Sequence, residues 1–247
     1  MIKQITIIIT WLLAITVAMP ASPVQSPIAG RADDIRPVAR VTVAAQQPAK
    51  KTDSAAEALA IERTRTLVDE IIAASYPELR GADIQIKLFH DDADYFRTRF
   101  GISRFLFVRR MRYFLLVNPQ VFAWQAPLAA VRAILAHELG HILYFKQRNR
   151  VRLVGLMCLA SKRYSARFER RTDLQAISHG YGEGLKEYRA WLYRHVPSRK
   201  LAEKKRNYFS PEEIDAIQAA ARRQPELLRY WSRHVPRNLK EILETSK

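Results

Sequence analysis

"AILAHELGHILYF", residues 133–145, has the apolar density of a buried helix and yet carries His137, Glu138 and His141. A buried polar group without a partner costs about 1–3 kcal/mol, so this segment must either pair these side chains or use them. On a helix, residues i and i+4 stand one above the other, which places His137 and His141 side by side with Glu138 one position round. Two imidazoles at that spacing can share a metal ion, and the glutamate can reach a water bound to it. This is the H-E-x-x-H arrangement, in which histidines hold zinc and the glutamate is the general base. Catalytic zinc takes three protein ligands and keeps a fourth position for water, so one ligand must come from elsewhere in the chain.

The best source is "RFERRTDLQAI", residues 167–177. Glu169 supplies a carboxylate that can ligate. Asp173, one helical turn later, can accept a hydrogen bond from the distal nitrogen of a ligating histidine, which fixes its tautomer and raises its basicity. Asp173 and His179 are the alternatives for the third ligand. The metzincin pattern is excluded, because it needs glycine at position 144 and histidine at 147, where this chain has Tyr144 and Gln147.

H-E-L-G-H followed by E-x-x-x-D resembles the gluzincin zinc metallopeptidases, and within them the family of the CAAX prenyl proteases and their bacterial periplasmic relatives, whose second motif reads E-x-x-A-D. The specific match is confined to these two motifs, and Thr172 stands where that family has alanine. The chain also lacks the multiple membrane helices of the integral members. The resemblance implies a zinc site with His137, His141 and Glu169 as ligands, Glu138 as base and Asp173 behind a ligand, and a zincin-like fold. The activity so implied is hydrolysis of a peptide or protein substrate by a zinc-activated water. A second donor for the oxyanion is expected from His179 or Tyr181, with Tyr188 and Arg189 as further candidates. The competing reading from another class is a non-catalytic envelope-binding protein or chaperone on a peptidase-like fold, which has no need of Glu138.

Around this centre the chain divides into three parts. Residues 1–21, "MIKQITIIITWLLAITVAMPA", have Lys3, a short apolar run and small residues at Ala18 and Ala21, the grammar of a secretory signal peptide rather than a spanning helix. Residues 22–52 are rich in Pro, Ala and Gln and read as a disordered linker or pro-segment. Residues 53–247 form the metallopeptidase domain with a helical C-terminal extension. Export points to the bacterial periplasm or the medium, with no stable transmembrane span after signal removal. The single cysteine, Cys158, excludes an intramolecular disulfide. The formal charge of +17 favours contact with an anionic envelope component, and export argues against nucleic acid. "RKLAEKKR", residues 199–206, reads as a solvated loop or helix face.

The predicted architecture is α+β and mostly helical, with a small antiparallel sheet before the H-E-x-x-H helix. A first helix capped by Asp53 or Ser54 runs to about Ser75 with Leu59, Arg63, Leu67, Ile71 and Ala74 on one face. "IQIKLFH" (84–90) alternates as a strand, and "FLFV" (105–108) with "YFLLV" (113–117) reads as a hairpin. If the latter strand were the sheet edge beside the helix, a substrate peptide could pair with it. Further helices are expected at about 128–146, 152–162 and from Ser165 to a Gly180 corner, then over "LKEYRAWLYRHV". "SPEEI" (210–214) carries a capping box, and two short helices follow at 227–233 and 239–243.

Overall fold

The computed structural model describes residues 49–101, 111–148 and 162–246, all within one unit spanning 47–247. The predicted signal peptide, most of the linker, "FLFV", the expected helix at 152–162 apart from its last residue, and Cys158 lie outside the described residues. The architecture is mostly helical with a small three-stranded sheet, hence α+β.

Helix α1 (Ala49–Ser75) starts before Asp53 and Ser54, so neither caps it. Its buried stripe is Ala60, Thr64, Leu67, Val68 and Ile71, while Leu59, Arg63 and Ala74 face outward. Thr64 tolerates full burial because its hydroxyl donates to the Ala60 carbonyl at 2.7 Å. That satisfied hydroxyl shifts the apolar face from the one the hydrophobic spacing alone predicts.

A 3₁₀ turn at Pro77–Leu79 leads to β1 (Asp83–Leu88), then β2 (Phe96–Phe100) and β3 (Arg112–Val117). The sheet order is β1-β3-β2. β1 runs parallel to β3 from Asp83↔Arg112 to Leu88↔Val117, and β2 runs antiparallel to it from Phe96↔Val117 to Phe100↔Tyr113. The sheet is therefore mixed and not antiparallel. A parallel pair needs a long crossover, and residues 89–111 provide it with β2 inside. β3 is central and paired on both sides, which removes the expectation that a substrate peptide adds to it. The strand against the H-E-x-x-H helix is β2, where the Thr98 hydroxyl donates to the Glu138 carbonyl at 3.2 Å. "FRTRF" escapes a strand reading because arginines at two of its five positions mask the alternation.

After a single turn, α2 (Gln120–Ala123), comes α3 (Leu128–Gln147). Every residue of α3 from Ala133 to Leu143 is buried. It is the one described helix apolar and long enough to cross a membrane, but 72% of its most apolar window is buried inside the domain, which accounts for that composition. Leu135, Leu139 and Ile142 are fully buried and stabilise the fold by about 1.5–3 kcal/mol each.

Six more helices follow among the described residues: α4 (Lys162–Ser178), α5 (Gly182–His195), α6 (Ser198–Asn207), α7 (Pro211–Arg223), α8 (Glu226–Arg233) and α9 (Leu239–Thr245). Gly180 closes the corner after α4 with φ +87°. α5 packs on α3 so closely that a Cβ on Gly184 would stand 2.3 Å from the Ala129 carbonyl oxygen, so only glycine fits there. α6 buries none of its residues and is held by ion pairs from Arg199 to Asp92 and from Lys204 to Asp94. Part of the basic run thus neutralises the acidic turn at 91–94.

Two apolar clusters result. One joins α1, the sheet, α3 and α5; the other gathers α4, α7, α8 and α9 around Phe209 and Trp231. α3 and α4 contribute to both, with Ala133 and Leu174 in the second and Leu139 and Ala176 in the first. The polar residues of interest lie on these two helices.

Candidate metal centre

α3 offers His137, Glu138 and His141, and α4 faces them with Glu169, Thr172 and Asp173. The approach depends on Gly140: a Cβ there would meet Thr172 Cγ2 at 2.9 Å and Gln175 Oε1 at 3.2 Å. Gly140 costs α3 about 1 kcal/mol relative to alanine, and the close crossing is what it permits.

Three ligand atoms converge across this crossing. His137 Nε2 and His141 Nε2 are 3.1 Å apart, and Glu169 Oε2 lies 3.1 Å from the first and 3.2 Å from the second. Tetrahedral zinc with ligands at roughly 2.0–2.1 Å sets its donor atoms about 3.3 Å apart, so this triangle needs only a slight expansion to close on an ion. The group could hold a metal ion, and two imidazoles with one carboxylate suit a borderline-soft divalent metal. Among the described residues it is the one such cluster. Of the alternative third ligands, Asp173 sits behind His137, and His179 stacks on Tyr76 with ring centroids 4.5 Å apart.

Asp173 is fully buried and serves three partners. Its Oδ1 is 2.7 Å from His137 Nδ1 and accepts from Arg189 Nη2 at 2.8 Å; its Oδ2 accepts from the Phe209 backbone N–H at 3.1 Å. The His137 contact is close but is not aligned as a linear hydrogen bond. Arg189, 1% exposed, is thus committed to Asp173 and is not placed as an oxyanion donor.

The local sequence after α6 explains how Phe209 reaches Asp173. Ser210 and Glu213 form a reciprocal capping box at the start of α7, with Pro211 in its first turn. Phe209 before the cap and Ile214 in the first turn are both fully buried in the same cluster, the arrangement of a hydrophobic staple. Arg170 on α4 bonds Glu213 Oε1 at 3.0 Å and covers the Phe209 ring, locking the cap to α4.

This anchoring delivers Tyr208, which the sequence reading did not single out. Its ring centroid is 6.0 Å from that of His137, and the Arg189 guanidinium lies over it at 4.2 Å. Among the described residues its hydroxyl has no hydrogen-bond partner. Burial, followed by the charge of Glu169, pushes its pKa well above the ordinary phenol value, so it remains a protonated donor. His179 and Tyr181 are engaged at the end of α1 instead, Tyr181 pairing its hydroxyl with Ser75 Oγ at 3.0 Å. Tyr188 is buried and stacks on Trp191. No sequence spacing could have found Tyr208, because it reaches the site only through the cap of α7.

Glu138 is 6% exposed, and its carboxylate has no hydrogen-bond or ion-pair partner among the described residues. With neutral imidazoles, Glu138, Glu169 and Asp173 stand against Arg189, three carboxylates to one guanidinium. A divalent cation would balance the two remaining negative charges. Without one, burial would push His137 down, but Asp173 and Glu169 overcome this and raise its pKa to about 9. Burial likewise opposes ionisation of Glu169 and Asp173. Both are nevertheless held below the ordinary carboxylate range, Glu169 by the two histidines and Asp173 by Arg189, His137 and the Phe209 N–H.

Comparison with protein-family models, with curated proteins and with solved structures finds no match to this chain.

Proposed function

We propose that the chain is an exported, gluzincin-type, zinc-dependent endopeptidase. The observation that carries this reading is the convergence of His137, His141 and Glu169 on one point, with Asp173 behind His137, and with Glu138, the next residue of α3 after His137, buried and its carboxylate unpartnered among the described residues. An adhesive module or chaperone would have no use for an unpaired buried carboxylate, which destabilises the fold that holds it. Export rests on the reading of residues 1–21 as a signal peptide.

His137, His141 and Glu169 would hold the zinc, which when bound supplies a Lewis acid and lowers the pKa of water to about 7. The chain's own residues do the rest. Glu138 accepts the proton of the attacking water and returns it to the leaving amine. Arg189 and the Phe209 N–H keep Asp173 ionised, and Asp173 fixes the orientation of His137. Tyr208 donates its hydroxyl proton in a hydrogen bond to the developing oxyanion.

Metal loading provides the direct test. Purified protein is expected to bind a single zinc per chain, and binding must displace the proton that His137 carries in the metal-free state. Apparent affinity should therefore rise by about tenfold per pH unit toward about 9, where that proton is lost, and level off above it. Zinc titration against a competing chelator from neutral pH upward measures this. Absence of zinc binding throughout the range would overturn the metal centre.

The assignment of Tyr208 predicts that Tyr208→Phe binds zinc like the wild type but loses about 10²–10³-fold in kcat, with KM little changed. A rate within about threefold of wild type would remove Tyr208 from the mechanism.

A further inference from the structure

We infer that Thr172 is a positioning residue that fixes His141 as the tautomer with its Nε2 lone pair toward the metal. It would do for the second imidazole what Asp173 does for the first. The inference rests on the metal-centre reading given above, and it concerns a position where the chain departs from the alanine of the family its motifs resemble.

The argument comes from hydrogen-bond direction. A threonine hydroxyl has a single proton. Thr172 Oγ1 lies 3.0 Å from the Phe168 carbonyl oxygen, which can only accept, so the hydroxyl proton goes there. What Oγ1 then presents to its other neighbour, His141 Nδ1 at 3.4 Å, is a lone pair. A neutral His141 can satisfy that contact only by carrying its proton on Nδ1, which leaves Nε2 unprotonated. Nε2 is the atom that meets His137 Nε2 and Glu169 Oε2 at 3.1 and 3.2 Å; the carboxylate can only accept, so until a cation stands between them it competes with Oγ1 for the single His141 proton. The hydroxyl is therefore a relay with one permitted polarity, from the imidazole N–H through Oγ1 to the helix carbonyl.

Packing holds the relay in place. Thr172 is 4% exposed, and its Cγ2 faces Gly140, where an added Cβ would stand only 2.9 Å away. The methyl filling the space left by Gly140 restricts χ1, and a β-branched residue has few rotamers to choose from. Phe168, its ring 4.8 Å from that of His141, covers the imidazole from the same helix. The two histidines are consequently unequal: His137 is backed by a buried carboxylate, whereas His141 is backed by a neutral hydroxyl that orients without adding charge.

The test uses the full chain with Thr172→Val, which keeps shape and the Gly140 contact but removes the hydroxyl, and Thr172→Ser, which keeps the hydroxyl. Two readouts are taken: zinc affinity by chelator competition, and the His141 tautomer from ¹⁵N shifts in the metal-free protein. Thr172→Val is expected to weaken zinc binding about 10-fold or more and to move the His141 proton from Nδ1 toward Nε2, where Glu169 accepts it, while Thr172→Ser stays near wild type in both. Wild-type zinc affinity together with an unchanged Nδ1–H tautomer in Thr172→Val would overturn the proposal. The tautomer readout needs no metal. If the wild type bound no zinc yet Thr172→Val released the tautomer, the metal-centre reading would fail while the Thr172 relay stood.

Discussion

Glu138→Gln is expected to retain bound zinc and to lose about 10²–10⁴-fold in kcat on peptide substrates, the usual contribution of a general base. Gln has the same shape as Glu but cannot accept the proton of water. The Glu138 carboxylate has no partner among the described residues, so the substitution breaks no hydrogen bond or ion pair. It also removes a buried carboxylate that has no hydrogen-bond partner to lose, so the thermal midpoint should stay level or rise. The combination of lost turnover, retained zinc and undiminished stability separates a chemical role from a structural one. Zinc analysis, a protease assay and thermal unfolding on the same preparation read all three. Cleavage by Glu138→Gln at the wild-type rate would sink the proposed mechanism, and absence of cleavage by the wild type itself would favour the binding-module alternative.

The largest stability effect is expected at Arg189. Arg189→Met leaves Asp173 fully buried with its main counter-charge gone, keeping only the Phe209 N–H and the bent contact to His137. Breaking such a pair from one side costs about 3–5 kcal/mol. At about 2–4 °C per kcal/mol for a domain of this size, the thermal midpoint should fall by about 6–20 °C. Removing both charges in Asp173→Asn/Arg189→Met should cost less than Arg189→Met alone, because neither member of the pair is then left as a buried charge without the other. The double variant should also bind zinc more weakly, since His137 loses the carboxylate that orients it. A shift under about 2 °C in Arg189→Met would show that Asp173 does not depend on this guanidinium.

The helices of the unit were largely legible from periodicity and end signals. The capping box at Ser210, the glycine corner at Gly180 and the Pro127 start of α3 are local devices, satisfied by neighbours in sequence whatever the rest of the chain does. The sheet was not legible, because strand pairing is a choice among distant segments. The alternation in "YFLLV" identifies a strand but says nothing about which partners flank it, and β2 with its two arginines gives no alternation to read. The face of α1 was misread for a related reason, since Thr64 becomes a core residue once its hydroxyl finds the Ala60 carbonyl.

The ligand candidates were written in the sequence because helical spacing is fixed by the backbone. His137 and His141 at i and i+4, and Glu169 and Asp173 at i and i+4, define two matching faces before any fold is known. What the tertiary structure decided is that these faces meet, at 3.1–3.2 Å between ligand atoms, through a crossing that Gly140 makes possible. It also decided which residues surround them. Arg189 went to Asp173, His179 and Tyr181 went to the end of α1, and Tyr208 and Thr172 came to the site. A side chain's neighbours across a helix crossing depend on packing between elements, which no local spacing encodes.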